Sequence, residues 1–136
     1  MKSRNDSLIR LKKFQVDEHR RALSQIEMMI ADFERMAAEL DQQIELEHSK
    51  TGISDASHFA YSTFAKAALT RRDNLMKSAD DMREKLESAQ DQLAESLEEL
   101  KKVETLSERE NQRQRAEENK AEQAEYDEIA RMRHSR

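Results

Sequence analysis

Residues 9–55 read IRLKKFQVDEHRRALSQIEMMIADFERMAAELDQQIELEHSKTGISD, and this stretch decides the fold. Ile9, Val16, Leu23, Ile30, Ala37 and Ile44 recur every seven residues, with Ile26, Phe33 and Leu40 on a second row three residues further on. Alternating steps of three and four are the seam of a coiled coil, because they keep one apolar stripe on one face of a helix. With no breaker inside it, the stretch predicts one helix over about residues 7–47. The stripe stops at His48-Ser49-Lys50-Thr51-Gly52-Ile53-Ser54-Asp55, which contains the single glycine of the chain. A glycine just past the last seam position, with Ser54 or Asp55 behind it as helix N-caps, predicts a turn at about 48–55.

A second stripe follows in the same threes and fours through Tyr61, Ala65, Ala68, Leu75, Ala79, Met82, Leu86, Ala89, Leu93, Leu100 and Val103. It predicts a second helix over about 56–130. Two amphipathic helices joined by a short turn bury their stripes by folding back, so the expected architecture is all-α. It is a single antiparallel coiled-coil hairpin over 1–136, with the second helix longer and ending in a charged overhang. One register sets residue i opposite residue 105 minus i. It pairs Val16 with Ala89, Leu23 with Met82, Ile30 with Leu75, Ile44 with Tyr61, Ile26 with Ala79 and Leu40 with Ala65. A shift of one heptad either way satisfies the same pattern. Polar seam residues such as His19 and Arg72 read as structural: their stems pack, their polar ends reach water, or they fix the register.

Composition agrees with long helix. The 136 residues are 39% charged and include no Pro, no Cys and one Gly, where an average chain of this length holds about ten Gly and about seven Pro. Sheets and loop-rich catalytic scaffolds need far more punctuation. A mean hydropathy of −1.05 approaches the range of disordered chains, and the regular stripes decide for helix. No cysteine means no disulfide and no thiolate metal site. No apolar run reaches the roughly 20 residues of a membrane span, and the N-terminus lacks the apolar core of a signal peptide. A cytoplasmic protein is therefore expected.

The net charge of −5 hides a gradient. Residues 1–21 carry +4, residues 104–128 carry −5, and Arg131, Arg133 and Arg136 make the C-terminus basic again. Past Leu106 about twenty residues lack any Leu, Ile, Val, Met or Phe but remain rich in helix formers. The first helix has already begun by that level, so the overhang has nothing to cover. Tyr126, Ile129 and Met132 form a small apolar face at its end.

Catalytic chemistry is not indicated. The sequence has no glycine-rich phosphate loop, no Gly-x-Ser-x-Gly and no His-Glu-x-x-His. His19, His48, His58 and His134 are scattered; His48 and His58 flank the turn but lack a third ligand, so neither a metal nor a cofactor is expected. An acidic chain with few aromatics suits nucleic acid poorly. Apolar residues off the seam, Met29, Met36 and Phe64 on one side and Leu69 and Met76 on the other, with Leu11, Phe14 and Phe59 further round, suit adaptable contact surfaces. The function read from the residues is an adapter or shaft that works by contact.

The order of these features resembles the flagellar export protein FliJ family over essentially the whole chain. The basic start Arg10-Leu11-Lys12-Lys13-Phe14-Gln15-Val16-Asp17-Glu18-His19-Arg20-Arg21 carries the likeness, with the turn, the longer second helix and the charged extension. Phe59-Ala60-Tyr61 through Arg71-Arg72-Asp73-Asn74-Leu75 is similar to alphaproteobacterial members. The resemblance implies a non-enzymatic stalk whose terminal end enters the hexameric ATPase of the export apparatus and stimulates it. It also implies contacts between the shaft and the export gate's cytoplasmic domain and export chaperones, at the cytoplasmic face of the inner membrane through partners only. Under it, Arg4, Arg10, Lys12, Lys13, Arg20, Arg21, Arg131 and Arg133 are expected to face carboxylates of the ATPase, and Met29, Met36 and Phe64 the gate or chaperones. The alternative is a structural coiled coil that associates with its own copies and has no export role.

Overall fold

The computed structural model describes residues 4–135, and at Arg4 the backbone alone. Two helices form: α1, Arg4–Thr51, and α2, Thr63–His134. Among the described residues there is no strand. The first helix outruns its expected end by one turn, and the second begins at Thr63 where about residue 56 was expected. Gly52 does terminate α1. Its φ of 73° is the left-handed conformation that glycine adopts without penalty, and its N–H donates to the His48 carbonyl at 2.8 Å.

The N-cap of α2 is Ser62, not Ser54 or Asp55. The Ser62 hydroxyl accepts from the Ala65 N–H at 3.2 Å and donates to Glu47 Oε1 at 2.9 Å, tying the start of α2 to the end of α1. Asp55 caps its own turn instead. Its carboxylate accepts from the Ser57 N–H and hydroxyl at 3.0 and 2.7 Å, and these bonds, the side-chain one foremost, hold its pKa below the usual 3.8. Residues 53–61 thus fold as successive turns, with His58 N–H donating to the Asp55 carbonyl and Tyr61 N–H to the His58 carbonyl.

The helices divide between two compact units, one of residues 17–94 and one comprising the stretch up to Val16 with the stretch from Glu95 onward. In the 17–94 unit the helices run antiparallel as a hairpin. Ile30, Ala37 and Ile44 of α1 and Ala65, Ala68, Ala79 and Ala89 of α2 are buried. Leu23, Ile26, Phe33, Leu40, Leu75, Met82, Leu86 and Leu93 are half-buried along the same seam.

Four contacts in this unit fix the register: the interhelical ion pairs Arg72 with Asp41 and Arg83 with Glu34, and, from the end of the loop to α1, Ser62 with Glu47 and the Tyr61 hydroxyl with His48 Nε2 at 2.7 Å. Their residue numbers add to 113, 117, 109 and 109, centred on 112 rather than 105. The pairing is one heptad away from the expected one. Tyr61 accordingly meets His48 where Ile44 was expected, and Arg72 lies level with Leu40 where Phe33 was expected.

The reason is volume. The 105 register sets Ala37 against Ala68, two small residues that leave a void. The 112 register sets Ala68 opposite Ile44, Ala79 opposite Phe33, Ala89 opposite Leu23 and Ala37 opposite Leu75. Four of the five buried alanines then meet a large apolar side chain, and the fifth, Ala65, lies level with Glu47, which lets the helices approach and fills the layers.

Candidate partner-binding surfaces

In the unit containing both chain ends, α1 starts at Arg4 and α2 continues far beyond that level. Val16, Ser96 and Ser107 are buried among its described residues, and Lys12 Nζ reaches Glu99 at 3.0 Å while Asn5 donates to Glu110 at 3.3 Å. After Ser107 every described residue of α2 is exposed. Residues 108–134 therefore form an exposed helical stretch of roughly 40 Å at 1.5 Å per residue, with no opposing helix in the described chain beyond the level of Glu110, which Asn5 reaches. Local pairs support it: Arg113 with Glu110 at 3.8 Å, Arg131 with Glu128 at 2.9 Å, and Gln123 with Asp127 at 3.0 Å. Tyr126, Ile129 and Met132 stand exposed near its end.

The cations expected to bind one partner are not gathered in one place. Lys12 spans the seam to Glu99, Arg20 and Arg21 belong to the 17–94 unit and pair with Asp17 and Glu18, and Arg131 pairs with Glu128. Arg10, Lys13 and Arg133 make no ion pair among the described residues, and the side chain of Arg4 lies outside those described. With α2 running on past the start of α1, the 29 residues from Lys102, level with Arg10, to Arg131 separate the two basic groups by roughly 44 Å of helix.

One basic group escaped the sequence reading. Lys101, Lys102 and Arg109 line an open groove with Glu98, Thr105 and Leu106, and Leu106 is 59% exposed. The signal was present: α2 keeps its three-four seam through Val103 to Ser107, which turns Leu106 outward.

In the 17–94 unit Met29 is exposed and Met36 half-buried, seven residues apart on α1. Phe64 is exposed at the start of α2, in a shallow groove with Gln43, Leu46, Glu47 and Lys50. All three lie along the same flank of the hairpin, but Phe64 neighbours Leu46, also exposed, and not the methionines. At the loop, Phe59 is almost fully exposed and stacks on His58 at 4.7 Å between ring centroids. His58 Nδ1 accepts from the Ala60 N–H, and His48 is engaged by Tyr61, so the two histidines do not converge. Among the described residues no group of three or more His, Asp or Glu is placed to hold a metal ion, and no helix is long and apolar enough to cross a membrane.

A family model described as "Flagellar FliJ protein" matches residues 1–136, the whole chain. The chain belongs to the FliJ family. No curated protein and no solved structure matches it. Membership makes it a flagellar export-related protein, and FliJ is a non-catalytic component of the export apparatus.

Proposed function

We propose that this FliJ chain is a stalk of the flagellar export apparatus that engages the hexameric export ATPase through the unit carrying its chain ends and raises its turnover. The observation that carries this reading is the 108–134 extension of α2. A helix rich in Glu, Gln, Arg and Lys keeps its form in the absence of a partner only marginally, and a surrounding ring of polar side chains would complete it. Arg10, Lys13, Arg131 and Arg133 present cations for such a ring, with Arg4, Lys12, Arg20 and Arg21 in support. Met29, Met36 and Phe64, joined by Leu46, form a softer surface for the export gate or export chaperones, since methionine and aromatic side chains adapt to different partners. Through these contacts the chain sits at the cytoplasmic face of the membrane without entering it.

The test is ATPase turnover with the four cations reversed together, Arg10→Glu, Lys13→Glu, Arg131→Glu and Arg133→Glu, with far-UV ellipticity as the control for helix. The expected result is lost stimulation at unchanged ellipticity; full stimulation by the variant removes the assignment. For the flank, Met29→Ala, Met36→Ala and Phe64→Ala together should weaken capture of the gate domain, and undiminished capture would reject that surface.

A further inference from the structure

We propose that the end of the hairpin where α1 begins is a cooperative gate: residues 5–16 unzip from residues 95–107 of α2 as one step while α2 stays helical. The seam changes composition at Val16. Carried through the terminal unit, the 112 register gives four layers: Val16 with Ser96, Lys12 with Leu100, Ile9 with Val103, and Asn5 with Ser107. Three of the four contain a polar member. Val16 is the one buried hydrophobic residue among the described residues of this unit, against seven in the 17–94 unit.

The polar members are poorly rewarded. The Ser96 hydroxyl is buried without a hydrogen-bond partner, and an unmatched buried polar group opposes closure. Lys12 must carry its ammonium out of the seam to Glu99, which is itself 44% exposed, so the pair is screened by solvent. Asn5 reaches Glu110 only at an exposed contact. Burial of apolar surface is the main force that zips two helices, and here Ile9, Val16, Leu100 and Val103 supply nearly all of it. In the 17–94 unit, by contrast, nine layers from Glu47/Ala65 to His19/Leu93 contain three polar members, Glu47, Arg72 and His19.

Opening has a defined consequence. It uncovers Leu100 and Val103 beside the already exposed Leu97 and Leu106, giving α2 a run of four apolar residues at three-residue spacing. It also frees the α1 segment that carries Arg10 and Lys13.

Native-state hydrogen exchange on the full chain tests this without any partner, so its outcome is independent of the ATPase reading. Amides of residues 8–15 should share one protection factor, at least about ten-fold lower than that of residues 26–44, as a single opening unit does. Filling the seam with Asn5→Leu and Lys12→Leu should raise protection of 8–15 by about ten-fold and leave 26–44 unchanged. Ser96→Ala, which removes the unpaired hydroxyl and adds no bulk, should raise it by about three-fold. Sedimentation shows whether the leucine variant stays monomeric; if it associates, the Ser96→Ala result decides. Protection in 8–15 equal to that in 26–44 would overturn the proposal. So would a smooth decline toward Arg4, which is ordinary end fraying, or protection that Ser96→Ala leaves unmoved.

Discussion

Replacing Arg72 with leucine should stabilise the hairpin. Arg72 occupies a seam position level with Leu40, and its side chain is 33% exposed. Its Nε is buried and lies 3.5 Å from Asp41 and 3.2 Å from Asp73, yet neither approach has hydrogen-bond geometry. Both carboxylates are more than half exposed, so the ion pairs contribute about 0.2–1 kcal/mol. A leucine two-thirds buried at the same place gains about 1–2 kcal/mol, scaled from the 1.5–3 kcal/mol of full burial. Leu and Arg are equally good helix formers, so propensity leaves the balance unchanged. The net is a stabilisation of about 1 kcal/mol, or a rise in Tm of about 4 °C for a chain of this size.

Arg72→Ala, which loses the packed stem as well, should destabilise by about 1 kcal/mol. Urea unfolding followed by ellipticity at 222 nm measures both. An Arg72→Leu chain as unstable as Arg72→Ala would refute the reasoning and show that the guanidinium itself holds the seam together.

Other expectations follow from single contacts. Glu34 and Arg83 should show a coupling of about 0.2–1 kcal/mol in a double-mutant cycle with alanine, disappearing at high salt; no coupling at low salt would argue against the 112 register. Ser62→Ala should cost about 1 kcal/mol through the lost N-cap and raise hydrogen exchange in the first turn of α2. Asp55 should titrate below its unfolded value, because Ser57 donates to the carboxylate. The turn at 55–58 is therefore favoured above the unfolded pKa and loosens as pH falls through the lower folded pKa, which NMR titration of the Asp55 carboxyl and the Ser57 amide would follow. An unshifted Asp55 would contradict that hydrogen-bonded turn.

Much of this architecture is legible in residues 9–44 and 65–103, where the apolar period alone places two helices and names their buried faces. The register is a different matter. Every heptad of the stripe resembles the next, so sliding by seven residues preserves the pattern. The choice falls to differences of a few methyl groups, such as Ala37 meeting Leu75 instead of Ala68. The start of α2 is illegible for a related reason: Asp55 and Ser62 are both good N-caps, and of the two only Ser62 reaches Glu47 at the end of α1.

Polar seam residues hide from an apolar pattern altogether. Ser96 and Ser107 are buried because they fall on the three-four repeat, and the same repeat pushes Leu106 out. Among the candidate contact residues, the exposure of Met29 and Phe64 follows from their places beside the seam. The ion pairs of Lys12, Arg20, Arg21 and Arg131 depend on neighbours three residues away or across the hairpin, and charge counting along the chain does not reveal them.

The central claim is that the extension of α2 is what engages the export ATPase. Its most direct test compares ATPase turnover with the full chain and with a chain ending at Ser107, both checked by ellipticity for an intact hairpin. The full chain should stimulate and the shortened one should not; equal stimulation by both would remove the extension from the contact.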